Sequence, residues 1–261
     1  MTRRSTPFVA LLAVTLLVLS PRAHGQGRGA APPDVAGQTP QAAAPIDLTG
    51  YWVSVVSEDW RYRMVTPAKG DYQGVPMTPE AVRVAEAWDP AADEAAGHQC
   101  KSYGAPAIMR VPGRLHVTWH DDSTLKVETD AGTQTRLFRF GPSAAKAGGP
   151  TWQGDSSAQW ETPAGRGRGG TPAPVRTGSL KVVTANLRAG YLRKNGVPYD
   201  EGARLTEHFD VTTLRDGARL LVVTAIVEDP RYLRQPFIVS SQFKKQADAS
   251  GWDATPCSAT W

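Results

Sequence analysis

The chain lacks a catalytic signature. There is no Gly-x-Ser-x-Gly elbow to present a serine nucleophile, and no glycine-rich loop between a strand and a helix to cradle a phosphate; the glycines between 165 and 170 lie in a coil. No His-x-His pair and no His-x-x-x-His on a helix offers a metal site. His116 and His120 share a strand face but stand four residues apart, about 13 Å at roughly 3.3 Å per residue. That is too far for two nitrogens that must each lie about 2 Å from one zinc. His98 beside Cys100 and the isolated His208 add no chelating spacing, so neither a metal nor a cofactor is expected.

Excess charge of one sign is also lacking. Lys and Arg number 29 against 25 Asp and Glu. Arg3, Arg4 and Arg22 fall in an N-terminal stretch expected to be removed, which leaves 26 against 25. A near-neutral chain gives no argument for nucleic acid or anionic membranes as partners. Nor does the apolar run from Phe8 to Leu19, which Pro21 follows, have the length to span a bilayer comfortably. With Arg3 and Arg4 before it and the small residues of Ala23-His24-Gly25 after it, this run reads as a signal peptide over 1–25, by the general or the twin-arginine route. The expected destination is periplasmic or secreted, with no membrane span left after cleavage. Cysteine is scarce: Cys100 and Cys257 stand alone, and an even count in an exported chain predicts one disulfide, with two buried thiols as the alternative.

What the chain does have is alternation. Leu115, Val117 and Trp119 alternate with His116, Thr118 and His120; Asp121-Asp122-Ser123 turns the chain; Leu125, Val127 and Thr129 then alternate with Lys126, Glu128 and Asp130. Period two means a hairpin with one dry face. After Ala131-Gly132, the run with Arg136, Phe138 and Phe140 on one side continues the meander, which sets a mainly β fold. Further strands are predicted at 48–56, 60–65, 156–161, 179–187, 203–212, 219–227 and 237–243. One helix interrupts them over 79–88: Thr78 is its N-cap, Pro79 its first residue, and Asp89-Pro90 stops it. A short turn follows to Gly97, and Ala81, Val84 and Trp88 form the face expected to pack on the barrel.

Gly, Ala, Pro and Gln dominate 26–45, which therefore reads as a disordered linker before a single domain over 46–261. The Arg-Gly-Pro stretch over 162–178 reads as a flexible surface loop rather than an RNA-binding segment.

Two charges sit on apolar strand faces. Arg136 shares its face with Phe138 and Phe140, and Glu207 shares its face with Leu205 and Phe209. Inward charge is costly unless paired, so these two pair structurally inside a barrel, grip the polar end of a ligand, or lie on faces that are in fact solvent-exposed with their aromatic neighbours shielded by loops. Trp119, Phe138, Trp160 and Tyr191 are candidates to line the same space, as are Tyr62 and Tyr199, although aromatics in a β protein are usually core.

At these residues two resemblances arise. Gly50-Tyr51-Trp52 on the first strand resembles the Gly-x-Trp of lipocalins, barrels that hold small apolar molecules; the later Thr-Asp-x-x-Tyr signature is absent. Asp47-Leu48-Thr49 before it, Gly104-Ala105-Pro106, the 122–130 hairpin, Trp152-Gln153-Gly154, Trp160-Glu161, Thr206-Glu207 and Glu228-Asp229-Pro230-Arg231-Tyr232 are together similar to a large group of exported bacterial lipocalin-like proteins. That resemblance implies export and a calycin-type barrel, and carries no activity. The expectation is a lipocalin-like β-barrel, with the helix packed outside, that binds a small apolar or aromatic molecule. One alternative is a cofactor-independent hydratase, isomerase or lyase with Glu207 as general acid or base and Arg136 polarising a carbonyl. Another is an envelope interaction module, which would have a filled barrel and an exposed apolar patch.

Overall fold

The computed structural model describes residues 38–141, 148–162 and 177–260. The signal peptide, most of the expected linker and most of the Arg-Gly loop lie outside them.

Eleven strands are formed among the described residues: β1 (Gly50–Val55), β2 (Arg114–Asp121), β3 (Thr124–Thr129), β4 (Thr135–Phe140), β5 (Asp155–Glu161), β6 (Ser179–Ala185), β7 (Gly190–Tyr191), β8 (Pro198–Tyr199), β9 (Arg204–Thr213), β10 (Arg219–Glu228) and β11 (Phe237–Lys245). Nine close a barrel in the order β1-β11-β10-β9-β6-β5-β4-β3-β2, and β7 and β8 form a separate ribbon. Period-two burial holds along the strands, with Leu115, Val117, Leu125, Val127, Leu180, Val182, Leu221 and Val223 all turned inward and buried. Each such side chain contributes on the order of 1.5–3 kcal/mol by leaving water. Trp52 fills the lumen from β1 and donates its indole N–H to the Leu48 carbonyl at 2.9 Å. The expected meander holds with one departure: β4 and β5 pair in parallel, Phe138 opposite Ser156 and Phe140 opposite Ala158.

Residues 60–65 are not the strand that the sequence suggests. Trp60–Arg63 is a single helical turn, α1, entered through Asp59 in a left-handed conformation. The reason is topological: β1 already pairs with β11 on one side and β2 on the other, so closure leaves it no free edge.

The longest helix, α2 (Pro79–Glu86), starts as expected, with the Thr78 hydroxyl accepting the Ala81 N–H at 3.2 Å. Its buried stripe is Ala81 and Ala85. Val84 and Trp88 are only half-buried; Trp88 instead covers Gly196, where an added Cβ would meet the Trp88 Cβ at 2.3 Å. A second short helix, α3 (Pro90–Ala95), is capped by Asp89, which accepts from Ala91 and Ala92 N–H. After a 3₁₀ turn (Lys101–Tyr103), α4 (Ala105–Ile108) packs Ile108 into the same cluster as Leu115, Val127 and Phe138. These pieces and the β7–β8 ribbon close one end of the barrel.

That end carries a titration. Lys194, in the β7–β8 turn, is buried with its Nζ 2.7 Å from the Tyr103 hydroxyl, and burial pulls the ammonium pKa from its ordinary 10.5 down to about 7. A lysine depressed when folded binds fewer protons than the unfolded chain between these two values. Stability therefore rises with pH across that window, by up to about 1.4 kcal/mol per pH unit, and the full penalty is present below it. In urea titrations between about pH 7.5 and 9.5 the wild type should gain on Lys194→Met at close to that slope; parallel curves would place the ammonium in water.

Candidate functional site

Arg136 and Glu207 meet inside the barrel. β4 and β9 are separated by β5 and β6 in the wall, and their inward alternation aims the two side chains at each other. Arg136 donates from Nη1 and Nη2 to Glu207 Oε1 and Oε2 at 2.9 and 2.6 Å, and both side chains are fully buried. Nη2 also reaches Thr184 Oγ1 at 3.3 Å, and Thr184 shares a hydrogen bond of 2.8 Å with Ser156. A polar band thus crosses the lumen from β4 to β9, β6 and β5. Phe138 covers it, with the guanidinium 4.8 Å from its ring centroid and the tilted Phe209 ring 5.4 Å away. Both Glu207 oxygens are taken by Arg136, so the carboxylate faces a cation and not a substrate-sized space. The gap left among Leu48, Leu115, Val117, Leu125, Val127, Phe138, Phe209 and Leu221 amounts to about 10 Å³.

A roomier space than this gap lies at the barrel mouth. Trp119 from the end of β2, Phe140 from the end of β4 and Trp160 from β5 form a triangle, with centroids 5.7, 5.2 and 6.4 Å apart. Residues 38–49, which the composition places largely in a disordered linker, cross above them. The Pro40 carbonyl accepts the Trp160 indole N–H at 2.8 Å, Gln41 N–H donates to the Asp122 carbonyl at 3.2 Å, and Pro45 is buried. Between this strap and the mouth is a recess of about 410 Å³ lined by Ala44, Pro45, Ile46, Leu48, Leu125, Trp119 and Trp160, with Gln41, Asp47 and Thr49 as its polar rim. The volume suits a small organic molecule. Asp47 is held below its ordinary carboxylate pKa: partial burial pushes it up, but hydrogen bonds from Thr49 and the nearby Lys245 and Arg219 outweigh that.

The residues singled out from the sequence therefore divide between places. Trp119 and Trp160 come together at the mouth; Arg136, Phe138 and Glu207 come together deeper in the lumen. Tyr191 joins neither. It sits on the β7–β8 ribbon outside the barrel, donating to Asp93 at 2.8 Å, with Lys101 donating to the other Asp93 oxygen at 2.6 Å. Burial, then the Asp93 hydrogen bond, pushes its phenol well above the ordinary value. Tyr199 is buried in the same ribbon, and Tyr62 lies beneath Arg193, whose guanidinium is 4.1 Å from the ring. His116 stacks on Tyr51 at 4.1 Å and faces Glu128 at 3.2 Å, and His120 is exposed. Sequence reasoning missed Phe140 as a mouth residue, although its position two residues beyond Phe138 was the signal. It also missed the strap, whose Pro40, Gln41 and Pro45 were hidden in the biased composition of 26–45. Cys100 and Cys257 are bonded, S–S 2.01 Å.

Searches of family models, curated proteins and solved structures find nothing that matches this chain. A reading of function rests on the geometry alone.

Proposed function

We propose that the protein is an exported β-barrel, akin to the lipocalin-like group, that holds a small apolar or aromatic molecule. The observation that carries this is the 410 Å³ recess beneath the strap, walled by Trp119 and Trp160 and floored by Leu48 and Leu125. The site proposed from the sequence moves outward accordingly: Trp119 and Trp160 contact the ligand, Phe140 packs against both indoles, and Phe138 supports the floor. The Arg136–Glu207 pair fixes the strands below it and stays out of contact. A flat ligand would stack on the indoles at offset or tilted geometry, each such contact adding about 0.5–1.5 kcal/mol to the area it buries. The polar rim would orient one hydrogen-bonding end.

Native mass spectrometry of the mature protein from its own host should show a reproducible extra mass that mild denaturation releases. The purified protein should also bind 1-aminoanthracene with quenching of tryptophan emission. Trp119→Ala with Trp160→Ala should weaken that binding by about a hundredfold, as expected for two stacking contacts and their buried area. A clean apo mass together with unchanged binding in the double variant would sink this reading.

One observation favours a second reading, the interaction module: Trp60, Met64 and Val65 on and just after α1 are 65, 55 and 56 % exposed. Trp60→Ser with Met64→Ser should leave 1-aminoanthracene binding intact and abolish any self-association or co-purifying partner.

A further inference from the structure

At the closed end of the barrel, away from the mouth, cationic side chains are packed where water is scarce. Arg63 of α1, Arg110 just after α4, and Arg193 and Lys194 of the β7–β8 turn line one recess of about 20 Å³, together with Tyr62 and Ser102. They are 2, 6, 4 and 5 % exposed. Their acids are fewer and lie toward solvent: Arg63 reaches Glu58 at 3.3 Å and Arg110 reaches Asp59 at 3.0 Å, and those carboxylate side chains are 32 and 40 % exposed. Arg193 has no carboxylate within ion-pair distance among the described residues; it donates to the Gln73 carbonyl at 2.8 Å and covers Tyr62. Burial first, and the neighbouring Arg110 next, hold its pKa down to about 10.

Donors are left over as well. Nη2 of Arg63, Nη1 of Arg110 and Nε of Arg193 are buried with no hydrogen-bond partner among the described residues. Buried orphan donors are costly, and orphan donors on charged groups more so. A single water has two lone pairs and no charge, so it cannot satisfy three guanidinium donors or offset their repulsion. An anion does both. The recess has about the room of one water, too little to enclose a tetrahedral oxyanion but enough for the end of a planar group entering from the surface. Guanidinium forks match carboxylate geometry.

We infer that this recess binds the carboxylate group of a small organic acid, gripped by Arg63, Arg110 and Arg193 between α1, the α4–β2 connection and the β7–β8 turn. The test is calorimetric titration of the mature protein with sodium formate and with sodium acetate, and separately with sodium chloride and sodium phosphate, at constant ionic strength set by sodium methanesulfonate. Formate and acetate should bind saturably and raise Tm in step, and phosphate should not saturate. Arg193→Met should weaken both carboxylates by at least about tenfold. Arg61→Gln, which removes a nearby exposed arginine, should leave them unchanged. If Arg193→Met does not fold, Arg193→Lys keeps the charge and loses the Nε donor, and the same loss is expected of it. Absence of saturable carboxylate binding, saturation by chloride alone, or equal binding by the folded Arg193 variant would each overturn the assignment.

Discussion

Glu207→Leu alone is expected to lower the unfolding free energy by roughly 3–5 kcal/mol, and Arg136→Met with Glu207→Leu to restore most or all of that loss. The asymmetry follows from where the pair lies. Both side chains are fully buried, joined by two hydrogen bonds of 2.9 and 2.6 Å. Removing the carboxylate leaves a guanidinium that cannot reach solvent and cannot be neutralised, since arginine stays protonated in proteins. Among the described residues Thr184 is the one other acceptor that Arg136 reaches, and at 3.3 Å a neutral hydroxyl replaces little of a bidentate carboxylate. Removing both charges leaves apolar groups of similar volume among Phe138, Phe209 and Val182, which is the situation in which buried ion pairs have proved dispensable. Urea denaturation of the single and double variants at one pH measures this directly. A double variant as unstable as the worse single would show that the pair, not its charge balance, holds β4 against β9. Ligand binding at the mouth should survive in the double variant. Loss of 1-aminoanthracene binding from a folded Arg136→Met/Glu207→Leu protein would instead put the pair in the binding site.

The same pair shows how far the sequence alone reaches. Period two along β4 and β9 put Arg136 beside Phe138 and Glu207 beside Leu205 and Phe209 on inward faces, and a closed barrel leaves two inward charges little choice but to meet. Alternation is a local signal with a global consequence, so the strands of the barrel and its internal ion pair were legible. The strand expected at 60–65 failed for the complementary reason: whether β1 has a free edge depends on β11, almost two hundred residues away, and no window around Trp60 contains that information. Tyr191 was misplaced because the two-residue strands of the ribbon carry no periodicity to mark them. The cationic recess was illegible in principle. Arg63, Arg110 and Arg193 come from a helical turn, a connection and a ribbon turn, and only the closing of the barrel end brings them together.

Reduction of the Cys100–Cys257 bond, or Cys100→Ser with Cys257→Ser, carries the other large expected effect. The bond joins residues 157 apart in sequence. Releasing a loop of that length raises the entropy of the unfolded chain by an amount worth roughly 5 kcal/mol at most. Measured losses typically run lower, about 2–4 kcal/mol, because unfolded chains retain some structure. The folded state loses little by comparison, for the tail has attachments of its own. Thr255 N–H donates to the Asp130 carbonyl at 3.0 Å, the Thr133 hydroxyl donates to the Thr255 carbonyl at 2.9 Å, Trp252 packs edge-on against Tyr51 at 5.9 Å, and Ala259 is buried. The two accounts of the bond then separate. If it acts on the unfolded chain, the double serine variant loses stability in urea while amides of residues 252–259 keep their native hydrogen-exchange protection relative to the new global value. If it acts only by clamping the tail, those amides exchange freely and the urea midpoint scarcely moves. Ser258 N–H of the tail donates to the Tyr103 hydroxyl at 3.4 Å, the same oxygen that Lys194 reaches, so the clamping account also predicts that the pH slope from Lys194 flattens on reduction, as water reaches the ammonium. The loop-entropy account leaves that slope intact.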